Sequence, residues 1–310
     1  MFPSLSLGIE FYFQCAIVVM GVVGTAANAL ILYALLASNQ HKKHALIVNQ
    51  NALDLFSSFF TVVSYSIKLC NIQLTGSLGY WLCILILSDS LIWCGYIGSF
   101  FCLSSITIER YLKVVHPVWS KKKVRNWMIY SAMAFSWIGS FVYNALPLFL
   151  TTMVIDGACY PYAFWKNDTD LIIYIIWSFV SFYVVILLIF IFCYWRILVV
   201  IRRQASVMAG YDDAAGPSTA QTVGNQLQSN VIKTMILVSA FYAISWLPTY
   251  IYSFNSILNP NATDPGGVIY FATVVIAFLY TCTNPFIYAI KFDPVKEVLQ
   301  RLILCKKTSE

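Results

Sequence analysis

Seven apolar runs, at 12–36, 45–70, 80–113, 126–149, 171–201, 230–256 and 267–290, take up most of the 310 residues of this chain. About 20 apolar residues in helical geometry cross the hydrocarbon layer of a bilayer. In lipid every backbone amide must find its partner within its own segment or a closed barrel, so runs of this length are read as helices. Charged residues make up 10% of the chain, against about 25% in a soluble domain. The expected fold class is therefore an all-α membrane protein: a seven-transmembrane helix bundle, with a short amphipathic helix after the last span. A single domain covers 1–310, with a short N-terminal segment (1–11), the bundle (12–290) and a tail (291–310). Met1–Phe13 carries no basic n-region, so the first run is read as a span rather than a cleaved signal.

The net charge of +6 is too one-sided to indicate nucleic acid. Lys42, Lys43, Lys121, Lys122, Lys123, Arg125, Arg202, Arg203, Lys296, Arg301, Lys306 and Lys307 all fall on one side of the spans. That is the positive-inside pattern, and it puts the N-terminus outside and the tail in the cytoplasm. Two sequons, at Asn167 and Asn261, fall on the expected outer face and are candidate glycosylation sites. The loop at about 204–229 is polar and rich in small residues, which reads as flexible. Beyond the last span, Val295, Val298, Leu299, Leu302 and Ile303 form one apolar stripe among basic residues, the pattern of a helix lying on the membrane surface. Cys305 at its end is either a palmitoylation site or an ordinary reduced cysteine.

Polar residues inside the spans are costly and point to function. Glu109-Arg110-Tyr111 closes the third run, Asp54 lies within the second, and Asn28, Ser99, Thr281 and Asn284 lie within others. A buried carboxylate needs partners or a cation. If the spans converge, Asp54, Ser99 and Asn284 form an oxygen-rich site for water and a sodium ion; the alternative is pairwise hydrogen bonding between helices, about 0.6 kcal/mol each. Pro248 in the sixth run and Pro285 in the seventh each remove a backbone hydrogen bond and bend their helices.

In order and on matching spans, Gly24 to Asn28, Leu53-Asp54, Glu109-Arg110-Tyr111, His116-Pro117, Trp137, Tyr194, Ser245-Trp246-Leu247-Pro248 and Asn284-Pro285-Phe286-Ile287-Tyr288 resemble the rhodopsin-like (class A) G-protein-coupled receptors over nearly the whole chain. Trp81-Leu82-Cys83 and the stretch from Glu109 to Pro117 resemble the neuropeptide-receptor branch. The resemblance implies a receptor for an extracellular short peptide or small molecule, acting on a heterotrimeric G protein by outward movement of the sixth helix. Glu109 is then expected to hold Arg110 at rest, with Tyr111, Tyr194, Asn284, Pro285 and Tyr288 completing the coupling switch. The implied ligand pocket draws on Asp89, Trp93, Tyr96, Trp177, Trp246, Tyr250 and Phe278. A disulfide is expected between Cys83 and Cys159, with Cys70 as the competing partner. Two departures from the family pattern stand out. The fifth-span proline is replaced by Ile186, so that helix is expected to be straighter. Cys83 also lies about two residues too far from Arg110, so the third span is expected to begin irregularly.

Other classes fit less well. Nine cysteines and three histidines show no metal spacing, and there is no Gly-x-Ser-x-Gly elbow, His-Glu-x-x-His run or phosphate loop, so no enzyme and no cofactor beyond the sodium ion is expected. A retinal-binding lysine is absent from the seventh span, where Phe278 stands in the corresponding place. Ile92 aligns with the aspartate of biogenic-amine receptors, and Asp89 one turn higher leaves a cationic ligand open. A small-solute transporter is the alternative, but the odd span count and the lack of paired broken helices weigh against it.

Overall fold

The structure, a computed structural model, describes residues 3–38, 44–161, 168–209, 219–259 and 267–303. The candidate modification sites Asn167, Asn261 and Cys305 lie outside the described residues. The long helices are α1 (Pro3–Ala37), α2 (Ala45–Leu69), α4 (Ser90–Val115), α6 (Asn126–Thr151), α8 (Val185–Ala209), α9 (Thr219–Leu258) and α10 (Val268–Lys291), in the number expected. Shorter pieces are α3 (Gly76–Leu82), α5 (Pro117–Lys123), α7 (Asp168–Ser178) and α11 (Asp293–Ile303). Among the described residues six helical segments are long and apolar enough to cross a membrane, and α6, with 26 residues, completes the bundle. α1 starts at Pro3, well before the expected limit of the span, and α9 runs for 40 residues through the expected sixth span.

The bundle closes on itself. α1 packs on α2 and α10, α2 on α4, α4 on α6 and α8, and α9 on α10. Small residues set the tightest approach: a Cβ on Gly95 would stand 2.6 Å from Ser57 Cβ, and one on Gly98 would stand 2.7 Å from the Ser136 carbonyl oxygen. With no hydrophobic drive between helices in lipid, such close backbone packing is what holds them together. α11 leaves α10 at Phe292, which is fully buried together with Val295, as the apolar stripe requires.

The third span does begin irregularly. After α3 the chain makes a π-helical turn (Cys83–Leu87), and Asp89 then adopts the left-handed region at φ 60° before α4 starts. A π-turn is wider than an α-turn and absorbs the extra residues between Cys83 and Arg110. Without its proline the fifth span still carries a π-helical turn, Phe179–Val184, between α7 and α8.

An element that the all-α reading left out is a two-stranded antiparallel hairpin, β1 (Met153–Ile155) and β2 (Ala158–Tyr160). Its turn is Asp156-Gly157, with φ values of 50° and 78°. Positive φ at both central residues is what the tightest hairpin turn needs, and Asp-Gly supplies it at least cost. The Gly157 carbonyl accepts a hydrogen bond from Leu74 N at 2.8 Å, and Cys159 is disulfide-bonded to Cys83, so the hairpin is tied to the starts of both α3 and the π-turn.

Candidate functional site

Polar side chains that periodicity alone places on separate helices meet along the axis of the bundle. Asn284 Nδ2 donates to Asp54 Oδ2 at 2.9 Å. Asn51 Nδ2 donates to Asn28 Oδ1 at 2.9 Å, and Asn28 Nδ2 reaches the Thr281 carbonyl at 3.2 Å. Asp54, Ser99 and Asn284 are all fully buried. Asp54 Oδ1, Ser99 Oγ and Asn284 Oδ1 have no hydrogen-bond partner, and neither does Asn51 Oδ1. Orphaned buried acceptors cost about 1–3 kcal/mol each unless something fills the gap. One carboxylate among neutral oxygens suits a hard monovalent cation with water better than a divalent ion. Tyr280, which no sequence motif marks, lies beside Asn284, Ser99 and Gln50, its hydroxyl buried without a hydrogen bond of normal geometry.

Nearer the end of the bundle that bears Arg110, Tyr194 on α8 bridges its neighbours, bonding Thr107 Oγ1 on α4 at 3.0 Å and Ser239 Oγ on α9 at 3.2 Å. Tyr288 on α10 donates to Gln50 Oε1 on α2 at 2.9 Å. Tyr111 pairs with His116 at 3.4 Å. Trp137 Nε1 donates to Asn49 Oδ1 at 3.0 Å.

The expected Glu109–Arg110 pair is not formed. Glu109 instead takes Lys113, one turn on along α4, at 2.6 Å. Arg110 Nη2 lies 3.2 Å from Nδ1 of His44, the residue just ahead of α2. The physical reason is rotation: neighbours in a helix diverge by about 100°, whereas residues i and i+4 share a face.

Two further tyrosines lace the π-turn to α9. Tyr183 OH donates to the Ala243 carbonyl at 2.9 Å, and Tyr242 OH donates to the Phe182 carbonyl. The two bonds are reciprocal, each tyrosine reaching a backbone oxygen beside the other.

Toward the opposite end the expected pocket aromatics do gather. Trp93 and Tyr96 face Trp246 at ring-centre distances of 5.7 Å and 5.9 Å, and Tyr96 stacks on Phe278 at 5.3 Å. Tyr250 joins from the side through Tyr183 and Phe179. Trp177, by contrast, is 57% exposed rather than enclosed. One open space lies to one side of this packed cluster. A cavity of about 470 Å³ runs between α1, α2, α10 and the hairpin, lined by Glu10, Tyr65, Lys68, Asp89, Asp156 and Tyr270 among others. Of the expected pocket residues only Asp89 reaches it. Lys68 Nζ sits 2.7 Å from both Asp89 oxygens, and Ser64 Oγ adds a third bond at 2.7 Å. These contacts hold Asp89 in its left-handed conformation and satisfy its charge inside the protein.

The sequence pattern of the 7 transmembrane receptor (rhodopsin family) matches residues 27–288. The chain is 25% identical over 293 residues to somatostatin receptor type 5 of Bos taurus, covering 92% of this chain and 74% of that protein. It is 23% identical over 325 residues to galanin receptor type 1 of Rattus norvegicus, covering 99% and 87%. The crystal structure of squid rhodopsin shares the fold, with a TM-score of 0.76 at 17% identity over 98% of this chain and 89% of that one.

Proposed function

The chain belongs to the rhodopsin family of seven-transmembrane receptors, and from that premise we propose that it binds an extracellular ligand and passes the signal to a heterotrimeric G protein. The observation that carries this reading is the set of bonds at the Arg110 end. There Arg110, Tyr194 and Tyr288 are each held by polar partners on neighbouring helices, and Tyr194 ties α4 to α9. Opening that end requires these bonds to break, after which an always-charged arginine seeks new acceptors. Carbonyls or carboxylates of a docked G protein would supply them. Basic residues on the same side, among them Lys121, Lys122, Lys123, Arg202 and Arg203, support a cytoplasmic location for this end and an outside N-terminus.

The ligand is a short peptide or small molecule bearing a basic group. Lys68 and Asp89 neutralise each other, which leaves Glu10 and Asp156 as the acids in excess among the charged residues that line the cavity. The relatives named for somatostatin and galanin favour a peptide. A sodium ion held by Asp54, Ser99 and Asn284 would favour the closed form.

The test is GTP-analogue binding in membranes of cells expressing the chain, challenged with a basic-peptide library that includes somatostatin and galanin. A ligand that drives nucleotide exchange in the wild type, but not in Arg110→Ala, supports the reading, provided ligand affinity changes by no more than about twofold. Saturable ligand uptake without nucleotide exchange would point to a transporter instead.

A further inference from the structure

We propose that His44, rather than Glu109, is the positioning residue that keeps Arg110 at rest; this rests on the receptor reading above. Three observations carry it. Glu109 is bonded to Lys113, its carboxylate 2.6 Å from that ammonium, and forms no ion pair with Arg110. Arg110 has one hydrogen-bond partner among the described residues, the His44 ring, and its own Nε is buried without any. His44 is itself fixed from two sides. Its carbonyl accepts the first amides of α2, from Ile47 and Val48, at 2.9 Å and 3.1 Å, and its ring stands edge-on to the fully buried Phe292 at 5.0 Å.

The chemistry then follows from the donor inventory. A guanidinium carries donors only, so Nδ1 must accept, and the imidazole is neutral with its proton on Nε2. The restraint is therefore a charge-assisted bond to a neutral acceptor, anchored on the segment where α2 begins and where α10 passes into α11. Any movement of Phe292, or of the residues ahead of α2, withdraws the acceptor. Arg110 is thereby made sensitive to the α10–α11 junction, a dependence that a Glu109 partner on the same helix could not create.

The experiment compares ligand-free GTP-analogue exchange at matched surface expression. His44→Phe keeps the ring contact with Phe292 and removes the acceptor; basal exchange should rise on the order of tenfold, the effect of losing one charge-assisted bond. His44→Asn returns an acceptor near the Nδ1 position and should bring exchange back toward wild type. Glu109→Gln should have a smaller effect than His44→Phe. His44→Leu serves the same arm if the phenylalanine variant does not reach the surface. A second arm needs no G protein: purified His44→Phe, Arg110→Ala and the double variant are melted in nanodiscs, and the two shifts should be non-additive. Equal basal exchange in wild type and His44→Phe, equal rises in His44→Phe and His44→Asn, a larger effect from Glu109→Gln, or additive melting shifts would each overturn the proposal. If no variant exchanges nucleotide above untransfected membranes but the melting shifts are still non-additive, the receptor reading fails and the restraint stands.

Discussion

Removing the Tyr242 hydroxyl tests whether the reciprocal tyrosine bonds hold α9 against the fifth span. In the closed structure Tyr242 OH is donated to the Phe182 carbonyl inside the π-turn, and Tyr242 and Phe182 are 1% and 6% exposed. Tyr242→Phe removes the donor that α9 supplies to this buried oxygen. Hydrogen bonds between membrane helices average about 0.6 kcal/mol and reach about 1.7, while an orphaned buried acceptor costs about 1–3 kcal/mol. A figure of about 1 kcal/mol for the single variant is therefore reasonable, or roughly a fivefold shift toward the open form at tenfold per 1.4 kcal/mol. Tyr183→Phe removes the opposing bond to Ala243 and should act in the same direction. The double variant should reach roughly thirtyfold if the two bonds are independent, and less if losing one already frees the other. The assay is ligand-free nucleotide exchange at matched surface expression, read beside the melting temperature of the purified protein. Only bonds that differ between the two states shift their balance. If both single variants and the double variant melt lower while basal exchange stays at the wild-type level, the bonds persist in both states and the reasoning fails.

Asp54→Asn should abolish any dependence of agonist affinity on sodium, because it removes the one charge beside the unpartnered Ser99 and Asn284 oxygens; affinity measured with sodium or with a large organic cation decides this, and equal insensitivity before and after the change would make the cluster purely structural. Replacing Cys83 and Cys159 together by serine opens a closed loop of sequence separation 76, which on the chain-entropy account costs about 4 kcal/mol; surface expression should fall sharply, and unchanged expression and melting would show that the hairpin is held by its other contacts alone.

Much of the scaffold was legible in the chain because membrane helices leave little choice. The expected limits of the second, fourth and seventh spans fall within about two residues of α2, α6 and α10. Departures were harder to read. The hairpin had a usable signal in Asp156-Gly157 between Met-Val-Ile and Ala-Cys-Tyr, but its strands of three residues each are too short for periodicity to register. Glu109 and Arg110 illustrate a different limit: adjacency in sequence suggests a pair, yet on a helix it is the i+4 residue that faces. His44 stands next to Lys42 and Lys43 in a basic loop, and nothing local shows that its ring turns inward to 7% exposure. Trp177 carried an aromatic side chain at a plausible depth, but the rotation of a helix about its axis is set by its neighbours.

The kink at Asp89 has a mechanical consequence. A rod with a joint carries torque poorly across it, so the segment of the third span above Asp89 is a weak drive shaft for Arg110 below. α2 has no such joint: it holds Lys68 against Asp89 at one end, Asn49 against Cys102 in the middle, and is preceded by His44 against Arg110 at the other. A push on the roof of the molecule thus meets a continuous strut in α2, and the third helix is carried along by the bonds that α2 makes to it.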